Sequence, residues 1–133
     1  MNIKDYNILQ HKENNNQIAI DFDGVIHGNS QGFYDGTVYD DPIPGSIEAI
    51  KKLSKKYTII LFTAKVKPDR PLIKGKTGEE LIWEWLGKHK ISSYIKEITC
   101  EKPRAIAYID DRAIRFETWD STLKTLNKIL NAQ

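Results

Sequence analysis

Two aspartates stand two residues apart at the end of a short apolar run, Asp21 and Asp23 in Q-I-A-I-D-F-D-G-V-I-H, residues 17–27. At the end of a strand such carboxylates lie close together and repel, and a cation between them offsets the cost. A hard divalent ion such as Mg²⁺ suits that place, because it is usually held by one or two carboxylates together with water and substrate oxygens. Gly24 permits the sharp backbone departure that follows, with N–H groups free to face an anion. Asp-Gly is also a common turn former. The segment alone therefore reads equally as a solvated acidic turn, and the rest of the chain decides.

Three further places supply polar groups after apolar runs or in nearby loops. Thr63 ends T-I-I-L-F, Lys102 stands before Pro103, and Asp110 and Asp111 end A-I-A-Y-I. Taken singly, Thr63 is the last residue of a β-rich run, Lys102 a loop lysine, and Asp110-Asp111 an acidic pair neutralised by Arg112. Taken together they could perform phosphoryl transfer. Asp21 would be the nucleophile, since a carboxylate can form a phospho-aspartyl intermediate. Asp23 could protonate the leaving oxygen and later deprotonate the attacking water. Mg²⁺ held by the Asp21 carboxylate, the Asp23 backbone carbonyl and a carboxylate of the Asp110-Asp111 pair would neutralise and orient the phosphate. Thr63 would donate to the phosphoryl oxygens, and Lys102 would offset the transition-state charge.

The elements that must hold these residues alternate in type. Ile18–Ile20 and Thr58–Phe62 read as buried strands, Tyr94–Thr99 as a short third, Ala105–Ile109 as a fourth, and Ile114–Phe116 as a short fifth. Pro44 opens a helix ending near Lys56, with Ile47, Ile50 and Leu53 on one face and lysines on the other. Thr77 and Glu80 have capping-box spacing ahead of Leu81, Ile82, Trp85 and Leu86. Asp120 is expected to cap a last helix carrying Leu123, Leu126, Ile129 and Leu130. Residues 28–44 read as loop or short hairpin, with Phe33-Tyr34 and Val38-Tyr39 as strand pieces around Asp35-Gly36. Ile3, Tyr6, Ile8 and Leu9 suit a short strand or turn. The alternation predicts an α/β fold with a mostly parallel sheet whose apolar strands are buried on both faces. Ligands bind such sheets beyond the carboxyl ends of the strands, which is where the polar residues fall.

Composition narrows the class. The 133 residues make one domain, 1–133, large enough to bury roughly two-thirds of the extended-chain surface. Twenty basic against 18 acidic residues give a net charge of +2, no general magnet for nucleic acid. Cys100 is the lone cysteine and fits a reducing compartment. The polar N-terminus has no apolar signal core, and no run approaches the roughly 20 apolar residues of a membrane span. A cytoplasmic protein with no membrane partner is expected.

D-F-D-G-V, I-L-F-T, K-P and Y-I-D-D, in that order, resemble the four-motif signature of the haloacid dehalogenase-like superfamily across residues 17–117. F-T-A-K and Y-I-D-D-R-A-I-R-F resemble in particular its small capless phosphatases of phage and bacterial type. The resemblance implies a Rossmann-like three-layer sandwich and a Mg²⁺-dependent phosphatase. By it Asp21 is the nucleophile, Asp23 the general acid and base, Thr63 the phosphate ligand and Lys102 the stabilising lysine. Gly24, Thr63, Ala64 and Lys102 are the expected phosphate-binding positions. Asp21, Asp23, Asp110 and Asp111 are the expected metal positions, with Asp111 favoured over Asp110 as the direct ligand. Val25 stands where many relatives have threonine. The second aspartate, Asp23, favours phosphate esters over the dehalogenation carried out by relatives that lack it.

Neither insertion point has room for a cap domain. The resemblance then implies either large substrates, including nucleic-acid ends or phosphoproteins, or a homo-oligomer in which a neighbour closes the site. A nucleotidase or sugar-phosphatase of the second kind is the alternative. The loop 65–76 carries Lys65, Lys67, Arg70, Lys74 and Lys76 against Asp69 alone, and reads either as a steering surface for polyanions or as a solvated loop. His27 and His89 read as surface or rim residues, and Trp83, Trp85 and Trp119 as core or edge packing. A phospho-accepting receiver module uses the same residue types, but its acidic pair comes first and its phospho-aspartate mid-chain; here the order is reversed. A non-catalytic phosphate- or metal-binding protein is the remaining rival.

Overall fold

Two five-residue apolar strands form the centre of the molecule. In the computed structural model, which describes residues 16–131, they are β1 (Gln17–Asp21) and β2 (Thr58–Phe62), each buried at its three middle positions. They pair in parallel from Gln17 opposite Thr58 to Asp21 opposite Phe62. β3 (Ile95–Thr99) adds outside β2 and β4 (Ala107–Ile109) outside β1, giving the order β3-β2-β1-β4 with every pairing parallel. The chain moves outward from β1 to β3 and then returns to the far side of β1. That reversal is the switch point of an open α/β sheet, where the carboxyl ends of β1 and β4 lie side by side.

Parallel neighbours require crossovers. Between β1 and β2 lies α1 (Ser46–Leu53), and between β2 and β3 lies α2 (Gly78–Lys88), while α3 (Trp119–Asn131) follows β4. α2 forms where the capping box predicts: Thr77 Oγ1 accepts the Glu80 N–H at 3.1 Å, and Glu80 Oε1 accepts the Thr77 N–H at 3.1 Å. Its Ile82, Trp85 and Leu86 enter the core beside Ile20, Phe22 and Leu61. The fold is thus α/β and Rossmann-like, with an all-parallel four-stranded sheet and three helices among the described residues. No cap domain is identifiable there; residues 28–45 hold only turns, bends and isolated bridges.

Several local expectations are corrected. The first helix starts at Ser46, not Pro44, because Gly45 has φ +88° and cannot be helical, and it ends at Leu53 in a turn closed by the Tyr57 N–H on the Leu53 carbonyl. Phe33-Tyr34 and Val38-Tyr39 form no strands. A turn closed by the Gly36 N–H on the Phe33 carbonyl takes the chain out of any ladder there. The fifth strand at residues 114–116 is absent among the described elements. β3 begins at Ile95 rather than Tyr94, and β4 at Ala107 rather than Ala105, although the Ile106 N–H still bonds the Gln17 carbonyl. Thr118, not Asp120, caps α3: its Oγ1 accepts the Ser121 N–H at 3.1 Å, while Asp120 sits in the first turn and pairs with Lys124. The reading of Ile3 to Leu9 lies outside the described residues.

The largest departure concerns the C-terminal third. The apolar run ending at Ile109 was expected to be buried on both faces, yet all three residues of β4 are exposed. α3 buries no residue and leaves Leu123 and Leu130 more than half exposed. Trp119 is 69% exposed and meets only the edge of Phe116, not the core. Burial is concentrated on β1, β2 and the elements around them. None of the described helices is long and apolar enough to cross a membrane.

Candidate active site

Directly beyond β1 the chain folds back on itself. The Phe22 carbonyl accepts the N–H groups of Ile26 at 3.0 Å and His27 at 2.9 Å, and the Gly24 N–H bonds the His27 carbonyl at 2.8 Å. The expected free N–H at Gly24 is therefore already spent inside the turn. Glycine is required here for two other reasons. Its φ is +86°, and a Cβ at this position would collide with the Asp111 carboxylate. The missing side chain of Gly24 leaves room for the Asp111 carboxylate.

Three carboxylates come together here. Asp21, Asp110 and Asp111 each offer an oxygen, and these oxygens lie within 4.8 Å of one another. No lysine or arginine among the described residues forms an ion pair with any of them. Arg112, the counter-charge in the reading of the acidic pair taken singly, contributes its backbone N–H to Asp110 Oδ1 at 2.8 Å. Burial, the charges of Asp110 and Asp111 and a hydrogen bond with Asp111 push the Asp21 carboxyl up to about 7. Converging oxygen donors, two of them half-buried and Asp111 exposed, with unbalanced charge fit a hard divalent cation such as Mg²⁺. Both Asp110 and Asp111 belong to this group.

Asp23 is handled in the opposite way. Its Oδ1 accepts from His27 Nδ1 at 2.9 Å; its Oδ2 accepts from Thr63 Oγ1 at 3.2 Å and lies 3.4 Å from Lys65 Nζ. Burial would raise this carboxyl, but the His27 bond, the Lys65 charge and the Thr63 bond outweigh it and hold it below its ordinary range. Its carboxylate stands outside the acidic cluster formed by its neighbour.

His27 is no rim residue: it is completely buried, stacked on Phe22 with ring centroids 5.5 Å apart and met edge-on by Trp85 and Tyr39. Its Nε2 accepts the Asp40 N–H at 3.0 Å, which assigns the proton to Nδ1 and makes the neutral ring a donor to Asp23. Asp40 in turn accepts Trp85 Nε1–H on its carbonyl at 2.9 Å and the Ser30 N–H on its carboxylate at 2.6 Å. A chain of bonds thus runs from α2 through the 28–44 loop to Asp23.

β2 delivers Thr63, 5% exposed, whose hydroxyl gives its proton to Asp23 and accepts the Lys65 N–H at 3.2 Å. Ala64 opens the short 3-10 turn Ala64–Val66 and is exposed beside it. The basic loop behind it is largely committed. Arg70 lies over the Phe33 ring at 4.6 Å and bonds the Ala64 carbonyl, Lys76 pairs with Glu84, and Lys65 is buried. Of the loop's five basic residues, Lys67 and Lys74 have neither an ion pair nor a ring contact among the described residues. Lys102 follows β3 in the next loop. It is exposed, with Nζ 4.3 Å from the centre of the Tyr108 ring, and forms no ion pair with an aspartate of the site.

The structure therefore gathers Asp21, Asp110 and Asp111 on one side and Asp23 with Thr63 on the other, with Gly24 between. It adds His27 and Lys65, which sequence reasoning passed over. The signals were present as His27 four residues after Asp23 and Lys65 two after Thr63, each on the same turn as the residue it serves. No protein-family model, curated protein or solved structure matches the chain.

Proposed function

We propose that this chain is a Mg²⁺-dependent phosphate monoester hydrolase working through an aspartyl-phosphate on Asp21. The observation that carries the reading is the opposite treatment of two carboxylates two residues apart. Asp21 converges with Asp110 and Asp111, while Asp23 is turned to His27, Thr63 and Lys65.

Asp21, Asp110 and Asp111 would hold the ion with their carboxylates, and Asp23 with its backbone carbonyl. Bound there, the ion supplies charge neutralisation for the phosphate and keeps Asp21 ionised. In the first step an Asp21 oxygen bonds to phosphorus, the bond to the ester oxygen breaks, and Asp23 gives that oxygen a proton. In the second, Asp23 takes a proton from water as the water oxygen bonds to phosphorus, and the Asp21–phosphorus bond breaks to release phosphate. Asp23 needs a proton for the first step, although its own neighbours hold it ionised. A phosphate dianion beside it supplies the opposing push, since a like charge raises a carboxyl. Lys102, exposed with its ammonium over the Tyr108 ring, is assigned no step here.

The lack of an identifiable cap domain among the described residues accords with substrates reaching well beyond their phosphate, whether a small molecule or a polyanionic end. The test is hydrolysis of an aryl phosphate with and without Mg²⁺ by wild type and Asp21→Asn. Mg²⁺-dependent turnover lost in the variant is expected. A folded protein that binds Mg²⁺ yet hydrolyses neither this ester nor nucleotides, sugar phosphates or phosphorylated DNA ends would refute the proposal and favour a binding role.

A further inference from the structure

Among the described residues Lys65 is the one lysine or arginine carried into the interior. It is 2% exposed, and its Nζ has no hydrogen-bond partner. An ammonium has three N–H donors, and burying it without filling them is costly. What it has instead is Asp23 Oδ2 at 3.4 Å and the face of the Phe33 ring at 4.8 Å. These offset its charge and leave its donors open.

The backbone beneath this side chain is firmly held. The Lys65 N–H bonds Thr63 Oγ1 at 3.2 Å. Its carbonyl fills the space that a Cβ on Gly78 would need, at the first residue of α2. Thr63 Oγ1 and Lys65 Nζ also approach the same oxygen of Asp23, at 3.2 and 3.4 Å. The turn thus holds an ammonium with spare donors next to the carboxylate read as general acid, beside the Thr63 hydroxyl already bonded to it. Acceptor oxygens carrying negative charge are the ligand that satisfies such donors best, and a phosphoryl group brings three.

We propose that the Lys65 ammonium binds the substrate phosphoryl group and offsets its transition-state charge, the part that the K-P motif would give to Lys102. This rests on the phosphatase reading above. It makes Lys65 a catalytic residue touching the phosphate, not only a support for Asp23.

The test compares wild type, Lys65→Met and Lys102→Met in Mg²⁺ buffer, by calorimetric titration with inorganic phosphate and by turnover of an aryl phosphate. Lys65→Gln serves in place of Lys65→Met if unfolding curves show that the methionine variant does not fold. The expected result is a loss of phosphate affinity of about tenfold or more and of kcat/KM of about a hundredfold at Lys65, each larger than the loss at Lys102. If Lys65 only positioned Asp23, kcat would fall while phosphate affinity stayed at the wild-type value, and that result overturns the assignment. So does a larger loss at Lys102, or a wild type that binds no phosphate. Lys65-dependent phosphate binding without ester hydrolysis would sink the phosphatase reading and the transition-state role with it, and leave the phosphate contact of Lys65 standing. Ester hydrolysis untouched by Lys65→Met would do the reverse.

Discussion

At the residue scale, two aspartates of one motif occupy opposed electrostatic settings. Asp21 is pushed from 3.8 to about 7 by burial and by Asp110 and Asp111, whereas His27, Lys65 and Thr63 hold Asp23 down. The first shift has a sign that can be measured. Without a divalent ion, native Asp21 keeps a proton that the unfolded chain releases above about pH 4. Its contribution to stability is therefore lost as pH rises from about 4 to about 7. Asp21→Asn stays neutral throughout. In chelator it should match wild type near pH 4 and exceed it at pH 8 by about 1–2 kcal/mol, the full shift being discounted because the carboxylate is half-exposed. Urea unfolding at the two pH values checks this, and equal stability at pH 8 contradicts it. The acid types and their order were legible in the sequence. The partners of Asp23 were not, because His27 and Lys65 looked like ordinary polar residues until the turns beyond β1 and β2 carried them inward.

Among the elements, the site depends on how β1 and β4 end. Gly24 is the contact point, with φ +86° and its missing Cβ replaced by the Asp111 carboxylate. Gly24→Ala should cost about 1–3 kcal/mol from backbone strain alone, and should also drive Asp111 from Asp21. The expected outcome is a lower unfolding midpoint together with loss of the Mg²⁺-induced rise in that midpoint expected for wild type; a variant with both intact would show that the contact between Gly24 and Asp111 is unimportant. The strands themselves were readable, because the apolar runs Ile18–Ile20 and Ile59–Phe62 leave few alternatives. The 28–44 loop was not. Its order comes from Asp40, which bonds His27 and Trp85 through its backbone and Ser30 through its side chain. No periodicity announces a residue that works through its main chain.

Over the whole molecule, burial is uneven. Leu86 of α2 is fully buried, whereas Leu126 of α3 is 37% exposed and no residue of that helix is buried. Leu86→Ala should therefore cost about 2–5 kcal/mol, as core truncations do, and Leu126→Ala under about 1 kcal/mol. Chemical denaturation of the two variants separates them, and equal losses would mean that α3 is packed as tightly as α2. Helical periodicity located α3 correctly but says only that one face is apolar, not that anything covers it. The same limit explains β4: an apolar run argues for a strand, while burial depends on neighbours that the run does not contain. The α/β class and the parallel sheet were legible because alternation of strand and helix leaves few other arrangements.

The central claim is that Asp21 carries the phosphoryl group. The most direct measurement is to mix the protein with Mg²⁺ and an aryl phosphate, quench in acid within the first turnovers, reduce with borohydride and map the peptides by mass. An acyl phosphate on a carboxylate is reduced to an alcohol, so homoserine at position 21, absent without substrate, is the predicted result. Turnover with an unreduced Asp21, or with homoserine at Asp110 or Asp111 instead, would contradict it.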